Sequence, residues 1–229
     1  MKTLPFLLVG ALLFLVPLSA AAAGAGFEQR CEQEMKPRVD VTSRAPGYKL
    51  NNTVSSQVLN NRGSYTRIGQ RMMGMTASHT LAEIDISGPL LIDAHGGREC
   101  MAPHVSVELS YQPLDVYVAR EINPYSCSFR VVVEHELRHV QIYRDNLPRV
   151  EAMVRRELEL RYAGRPLYAD TGQALNRLQA DIDTWLRPLI EAELAAVELM
   201  QHALDNPDEE RRLSQACQGE VASLMRSSF

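Results

Sequence analysis

Two histidines four residues apart are the clearest chemical feature of this chain. His135 and His139 enclose Glu136 in the run from Val131 to Val140, which reads VVVEHELRHV. On a helix, positions i and i+4 lie on the same face, so both imidazoles can bind one metal ion. A carboxylate beside them can accept a proton from water. The spacing predicts a zinc site, with His135 and His139 as ligands and Glu136 as the general base.

A purely structural role for the histidines is the alternative. A helix around them would be apolar on two sides, which predicts that it packs between a sheet and another element. Two ordinary core histidines would also fit such a helix. The elements around the motif therefore have to decide between a metal site and a packed core.

One protein ligand is missing from the motif, because a catalytic zinc ion usually has three. Leu147-Pro148 predicts a break in the motif helix and a reversal into a second, antiparallel helix from Arg149 to Tyr162. In that hairpin Glu157 lies level with the histidines and interrupts an otherwise apolar face. A carboxylate within an apolar stripe needs a partner. We expect Glu157 to be the third ligand.

Other assignments remain open for the third ligand. Glu159 is also level with the histidines, but it lies on a more polar face. Asp145 has the spacing of the ligand in a longer form of the motif, although the glycine that this form requires is absent. Glu157 could instead form a salt bridge with Arg138 or Arg161.

Residues 1–23 have the pattern of a secretory signal peptide. Lys2 supplies a positive charge, Leu4 to Leu18 form an apolar core, and Ser19 to Ala23 offer an A-x-A cleavage site. We expect cleavage after Ala23 or Ala25, with an uncleaved anchor as the alternative. The apolar core is short for a membrane span, and no later stretch approaches one. The pattern predicts a periplasmic or secreted protein.

Residues 24–229 have the size of a single domain. The chain carries 24 Lys+Arg against 28 Asp+Glu and has no basic stripe, so nucleic acid is not an expected partner. Four cysteines in an exported chain predict two disulfides. Three connectivities are possible. We favour Cys100–Cys127, which brackets a strand pair, and Cys31–Cys217, which ties the two ends together.

The order of the elements predicts an α+β fold. Thr80 to Ile86, His104 to Ser110 and Leu114 to Glu121 alternate as strands do, which favours a mostly antiparallel N-terminal sheet. From Ser126 or Ser128 onward the pattern becomes helical, so the motif helix begins a helical C-terminal half.

On these residues the chain resembles the zincin metallopeptidases, in particular their glutamate-ligand branch. The run Glu134 to Val140, the export signal and the order of sheet and helices look more specifically like predicted secreted bacterial zinc-dependent peptidases. The specific likeness covers about 30 residues. The resemblance implies an endopeptidase in which zinc polarises the scissile carbonyl and Glu136 passes a proton from water to the leaving amine. It also implies that Leu114 to Glu121 is an edge strand that aligns an extended substrate.

Several functional questions stay open at the level of the sequence. The oxyanion donor could be Tyr143 or Arg138. The substrate could be a protein, a signal-peptide remnant or a cell-wall peptide. A non-catalytic cell-envelope binding protein, or an inactive peptidase relative with structural histidines, is the alternative function.

Overall fold

The computed structural model describes residues 19–45, 47–63, 71–162 and 164–226. Residues 1–18, which form most of the expected signal peptide, lie outside the described residues. Within the described ranges the strands are β1 Arg38–Arg44, β2 Tyr48–Asn51, β3 Gly74–Ser87, β4 Leu90–Ile92, β5 Arg98–Met101, β6 His104–Val118 and β7 Leu167–Asp170. The α-helices are α1 Ser19–Glu34, α2 Ser56–Arg62, α3 Cys127–Tyr162, α4 Ala174–Asp181, α5 Arg187–Leu204, α6 Pro207–Gln215 and α7 Glu220–Arg226.

β6 is the central strand of the main sheet. It pairs in parallel with β1 along its first part and with β2 along its last part, and it pairs antiparallel with β3 along nearly its whole length. The sheet is therefore mixed: β3 and β6 form an antiparallel pair, whereas β1 and β2 run parallel to β6, so the expected mostly antiparallel arrangement is not confirmed. Long connections separate β1 and β2 from β6, and such connections permit parallel pairing where a hairpin would not.

The expected edge strand from Leu114 to Glu121 lies within the internal strand β6 as far as Val118 and continues into a turn. Leu114 pairs with Tyr48 of β2 and also with Ser78 of β3. Its backbone has no free edge for a substrate, so this expectation is wrong. Among the described strands, β3 pairs only with β6, which leaves β3 as the edge on this side of the sheet.

Gln112-Pro113 interrupts the pairing of β6 but does not end the strand. The peptide bond is cis. Pairing with β1 ends at Ser110, and pairing with β2 begins at Leu114. Proline has no N–H to donate, so it is tolerated in the gap between two partner strands.

α3 is one continuous helix of 36 residues that contains Pro148 in its interior. The expected helical hairpin at Leu147-Pro148 is therefore wrong. An interior proline costs a helix about 3 kcal/mol. The apolar face of α3 outweighs this cost, because each fully buried aliphatic side chain contributes about 1.5–3 kcal/mol. That face packs against the sheet and α5, and its buried members are Val140, Tyr143, Leu147, Val150, Val154 and Leu158.

The helices after α3 complete the same core. α4 and α5 are joined by a π-helical turn, Ile182–Leu186, and their buried residues belong to the cluster that α3 forms with the sheet. Pro188 lies in the first turn of α5, where its missing N–H costs little. None of the helices that the structure describes is both long enough and apolar enough to cross a bilayer.

The chain has two disulfides, as its cysteine count predicts, but the pairing differs from the expected one. Cys31 of α1 bonds Cys100 of β5, and Cys127 at the start of α3 bonds Cys217 between α6 and α7. Neither expected pair forms. Cys31 and Cys100 lie together in a small buried cluster between α1 and β5, and this tertiary proximity cannot be read from sequence spacing.

A buried carboxylate joins the second sheet, β4-β5-β7, to the start of α4. Glu99 of β5 is 2 % exposed and accepts hydrogen bonds from the backbone N–H groups of Gly172 and Ala174 at 2.8 and 2.7 Å. These donors lower the pKa of Glu99 below its ordinary value. The ionised carboxylate thus gives the N–H of Ala174, the first residue of α4, the partner that it lacks within the helix, and it also binds the N–H of Gly172 in the preceding turn.

We expect Glu99→Gln to destabilise the fold by about 1–3 kcal/mol at neutral pH, as for other hydrogen bonds to charged groups. Because the folded-state pKa is lowered, the stabilisation by Glu99 is present above the unfolded value of about 4.3 and is lost as pH falls through the folded value. Urea unfolding at several pH values checks this. The difference between wild type and Glu99→Gln should shrink below about pH 4, whereas Glu159→Gln at an exposed position should change little at any pH.

Candidate metal centre

His135 and His139 lie on the face of α3 that turns towards the end of α5. Each residue is 8 % exposed. The rings meet edge to face, with centroids 4.8 Å apart, and their Nε2 atoms are separated by 3.2 Å. The four-residue spacing therefore brings two nitrogen donors to one point, as expected for positions on one helical face.

Asp205 completes a triangle with the two histidines. It follows the last residue of α5, and its Oδ1 atom lies 3.1 Å from Nε2 of His135 and 3.1 Å from Nε2 of His139. The carboxylate is about half exposed, at 52 %, whereas the histidine side chains are almost enclosed. The three donor atoms thus form a nearly equilateral group that is open to solvent on the Asp205 side.

The sequence around Asp205 explains the sharp corner between α5 and α6. The side chain of Asn206 accepts hydrogen bonds from the N–H groups of Asp208 and Glu209, and Pro207 occupies the first turn of α6. Asparagine at the N-cap and proline in the first turn are both typical of helix starts. The corner holds Asp205 just outside α5 and puts Glu209 within the first turn of α6.

Gln201 fixes the tautomer of His139. Its side-chain nitrogen donates to the backbone carbonyl of His139 at 3.2 Å, so its Oε1 atom is the one that faces Nδ1 of His139, at 2.6 Å. An oxygen there can only accept, and Nδ1 of His139 must carry the hydrogen. In the neutral imidazole, Nε2 then presents its lone pair to the centre of the triangle.

Glu209 fixes the tautomer of His135 in the same way. Its Oε1 atom lies 3.0 Å from Nδ1 of His135 and 2.6 Å from a guanidinium nitrogen of Arg138. Arg212 donates to both oxygens of this carboxylate at 2.9 and 2.6 Å. These donors hold the pKa of Glu209 well below its ordinary range, with Arg212 contributing most. An ionised Glu209 accepts from Nδ1, so Nε2 of His135 also presents a lone pair inward.

Positive charge is favoured at the centre of this triangle. Burial by itself lowers the pKa of an imidazole, but Asp205 and Glu136 raise the pKa of His135 and of His139 above the ordinary value. Partial burial acts to raise the pKa of Asp205, and the two histidines overcome this effect and lower it strongly. The carboxylates therefore favour either protons on the imidazoles or a cation between the donors.

The donor set fits a zinc ion. Ligand atoms at about 2.0–2.2 Å from a tetrahedral zinc lie about 3.3–3.5 Å from one another, close to the 3.1–3.2 Å separations found here. Zinc-bound histidines almost always donate their other nitrogen to a carboxylate or an oxygen acceptor. Glu209 and Gln201 are such acceptors. His135, His139 and Asp205 could together hold one metal ion.

Glu136 points from α3 to the edge strand β3. Its carboxylate is 4 % exposed, and burial raises its pKa above the ordinary value. The hydroxyl of Thr76 donates to its Oε2 atom at 2.9 Å. A Cβ atom at Gly74 would lie 2.4 Å from the other oxygen and 2.7 Å from a methyl carbon of Val132, so only glycine lets β3 approach this closely. The strand thus holds the carboxylate in one place.

The structure does not bring Glu157 to the histidines. Glu157 follows His139 on the same continuous helix, about 27 Å further along at 1.5 Å per residue, and it pairs with Arg156. Glu159 is exposed one half-turn beyond it. Asp145 is also exposed and accepts from Gln141. All three expectations depended on a break or bend in α3 that does not occur.

The two expected oxyanion donors are already engaged. The hydroxyl of Tyr143 donates to Glu198 at 3.1 Å, and its ring packs against Tyr111 with centroids 4.7 Å apart. Arg138 is paired with Glu209. Arg138 thereby supports the orientation of His135 and is not directed at the centre of the triangle.

The residues that the sequence left unassigned lie on a second, distant segment. Gln201, Asp205 and Glu209 recur every four residues, and each contacts a histidine of the motif. One local signal was present, since Asn206-Pro207 predicts a helix start with Glu209 in its first turn. The spacing of these residues does not predict that the corner between α5 and α6 contacts α3.

Comparison of the chain with protein-family models, with curated proteins and with solved structures finds no match.

Proposed function

We propose that this chain is a zinc-dependent hydrolase of peptide bonds, with His135, His139 and Asp205 as the metal ligands and Glu136 as the general base. The observation that carries the proposal is the convergence of the three donor atoms within 3.1–3.2 Å of one another. Asp205 takes the place that the sequence interpretation gave to Glu157. When zinc is bound at such a site, it lowers the pKa of water towards about 7 and polarises carbonyl groups.

The surrounding residues support a metal site over a pair of core histidines. Two neutral imidazoles that direct lone pairs at each other from 3.2 Å repel unless a cation or a proton lies between them. Glu209 and Gln201 fix both rings in this orientation. A packing role would require neither the fixed tautomers nor the carboxylate of Asp205.

Glu136 is suited to proton transfer. Burial raises its pKa above the ordinary value, which makes the carboxylate a better base for water. Thr76 and Gly74 restrict its position, so little reorganisation is needed when it accepts a proton and passes it to the leaving amine. Thr76 is a positioning residue in this scheme.

β3 is the element best placed to bind an extended peptide. Its segment from Gly74 to Thr76 contacts Glu136, and β6 is its only partner among the described strands. A peptide that adds to the free edge of a sheet is held by main-chain hydrogen bonds. Main-chain binding favours polypeptide substrates, whether protein or cell-wall peptide, over small amides.

The proposal is tested on the exported, disulfide-intact protein. Elemental analysis should find about one zinc per chain, and cleavage of a mixed peptide library should stop after chelation and return when zinc is restored. A metal-free protein that fails to take up zinc would overturn the metal site. Stoichiometric zinc without cleavage of any peptide would favour the alternative of a cell-envelope binding protein or an inactive peptidase relative.

A further inference from the structure

The segment that supplies Asp205 and Glu209 has almost no apolar attachment to the rest of the fold. We define the site segment as residues 205–219, which comprise the corner before α6, α6 itself and the 3-10 turn Ala216–Gly219. The one buried residue of α6 is Glu209, and the 3-10 turn has none. Hydrophobic burial, the main source of tertiary stability, therefore contributes little to holding this segment.

Polar contacts and one covalent bond hold the site segment on α3. At its start, Glu209 contacts His135 and Arg138. At its end, the disulfide Cys127–Cys217 joins it to the first residue of α3. The segment is thus fixed at both ends to the helix that carries the motif histidines.

The backbone at Cys217 has an unfavourable conformation. Cys217 and Gln218 have φ values of 52° and 58°, in the left-handed region that residues with a Cβ rarely adopt. Such conformations persist where the surrounding structure enforces them. The bond to Cys127 is the covalent constraint at this turn, and loss of that bond would permit the turn to relax.

The two disulfides differ in their access to solvent. Cys31 and Cys100 are completely buried. Cys127 is exposed and Cys217 is partly exposed. Exposed disulfides are the ones that reductants attack first. A reductant can therefore open Cys127–Cys217 while Cys31–Cys100 stays intact.

We propose that Cys127–Cys217 is a redox control of the metal centre. The inference rests on the proposed metal site but not on its peptidase activity. A dithiol that opens the bond becomes a disulfide itself, as two electrons and two protons pass to Cys127 and Cys217. The turn at Cys217 then relaxes, and Glu220 after it stays bound to the start of α3 through the hydroxyl of Ser128. Asp205 and Glu209 are held less firmly once the covalent bond is open, and zinc affinity falls.

The coupling acts in both directions. If the disulfide strengthens zinc binding, zinc must stabilise the disulfide by the same factor. Zinc bound to Asp205 holds the site segment on α3, which keeps Cys217 beside Cys127. The metal-loaded protein therefore resists reduction at this bond, whereas Cys31–Cys100 belongs to a separate cluster and is unaffected.

Two double variants test whether the disulfide strengthens zinc binding. Cys127→Ser/Cys217→Ser should weaken zinc binding about tenfold or more, the range found when an outer partner of a ligand is lost. Cys31→Ser/Cys100→Ser is the control. Cys127–Cys217 closes a loop of 90 residues and Cys31–Cys100 a loop of 69 residues. Because the entropy of loop closure grows only with the logarithm of loop length, loss of either bond increases the entropy of the unfolded chain by a similar amount. Competition with a zinc chelator measures the affinity.

Whether zinc protects the disulfide from reduction is tested on the wild-type protein, so the result does not depend on a variant that folds. A trialkylphosphine reduces the protein with and without saturating zinc, and alkylation followed by peptide mass mapping counts the thiols at each cysteine. The phosphine takes the oxygen of water and becomes its oxide as two thiols form. Zinc should slow opening of Cys127–Cys217 several-fold and leave Cys31–Cys100 unchanged.

The outcomes separate this inference from the proposed function. A wild-type protein that binds no zinc overturns the metal site and this inference with it. A wild-type protein that binds zinc, with the same affinity in both double variants and no zinc effect on reduction, overturns this inference alone. Selective loss of affinity in Cys127→Ser/Cys217→Ser, together with selective protection by zinc, supports it.

Discussion

Asp205→Ala is expected to reduce the affinity for zinc more than any substitution outside the motif. The change removes one of three donors and leaves His135 and His139 with two nitrogen ligands. Loss of an outer partner typically costs about 10–100-fold in metal affinity, so loss of a direct ligand should exceed about 100-fold. Chelator competition, or the visible absorption of a cobalt-substituted protein, measures the change.

The chain offers controls for this result. Asp208→Ala alters a carboxylate of the same segment that is 85 % exposed and paired with Arg211, so zinc affinity should stay within about twofold of wild type. Glu157→Ala and Asp145→Ala should behave like Asp208→Ala, because these carboxylates lie away from the histidines and pair with Arg156 and Gln141. Wild-type affinity in Asp205→Ala together with weak binding in Glu157→Ala would contradict the ligand assignment.

The sequence predicted Glu157 beside the histidines, whereas the structure has Asp205 there, and this difference shows how far the sequence could predict the site. The relation between His135 and His139 is local, since four residues on one helix set their distance. The third carboxylate beside the histidines depends on where α3 ends and where the corner after α5 packs, and at Pro148 the local signal was misleading. Proline predicts a helix break because it removes one hydrogen bond, but the long apolar face of α3 outweighs that single loss.

The partners of the strands and of the cysteines could not be predicted for a related reason. Alternation identified the residues of β3 and β6 as strands, yet alternation is the same for parallel and antiparallel neighbours. The even number of cysteines predicted two bonds but could not choose among three connectivities. The fold class and the local motif therefore followed from short-range patterns, whereas the partners of β6, Cys31 and His135 depend on contacts between distant segments.

Glu136→Gln is expected to separate metal binding from turnover. The amide preserves the size of the side chain and can still accept from Thr76, so zinc affinity should remain within a few-fold of wild type. Glutamine cannot accept a proton from water, and cleavage should fall by about 100- to 10,000-fold. The metal-free variant should unfold at the same or higher urea concentration, since a buried carboxylate without a cation is costly.

Gly74→Ala tests the position of the Glu136 carboxylate without changing Glu136 itself. The added methyl group would lie 2.4 Å from an oxygen of Glu136, so the carboxylate must move away from the place where β3 holds it. Cleavage should fall at least tenfold, because an error of about 1 Å in a catalytic group can cost about 100-fold, while zinc content stays unchanged. Gly47→Ala is the control, since a Cβ there meets nothing within 4 Å. Equal turnover in Gly74→Ala and wild type would mean that the position of Glu136 set by β3 is not the one used in catalysis.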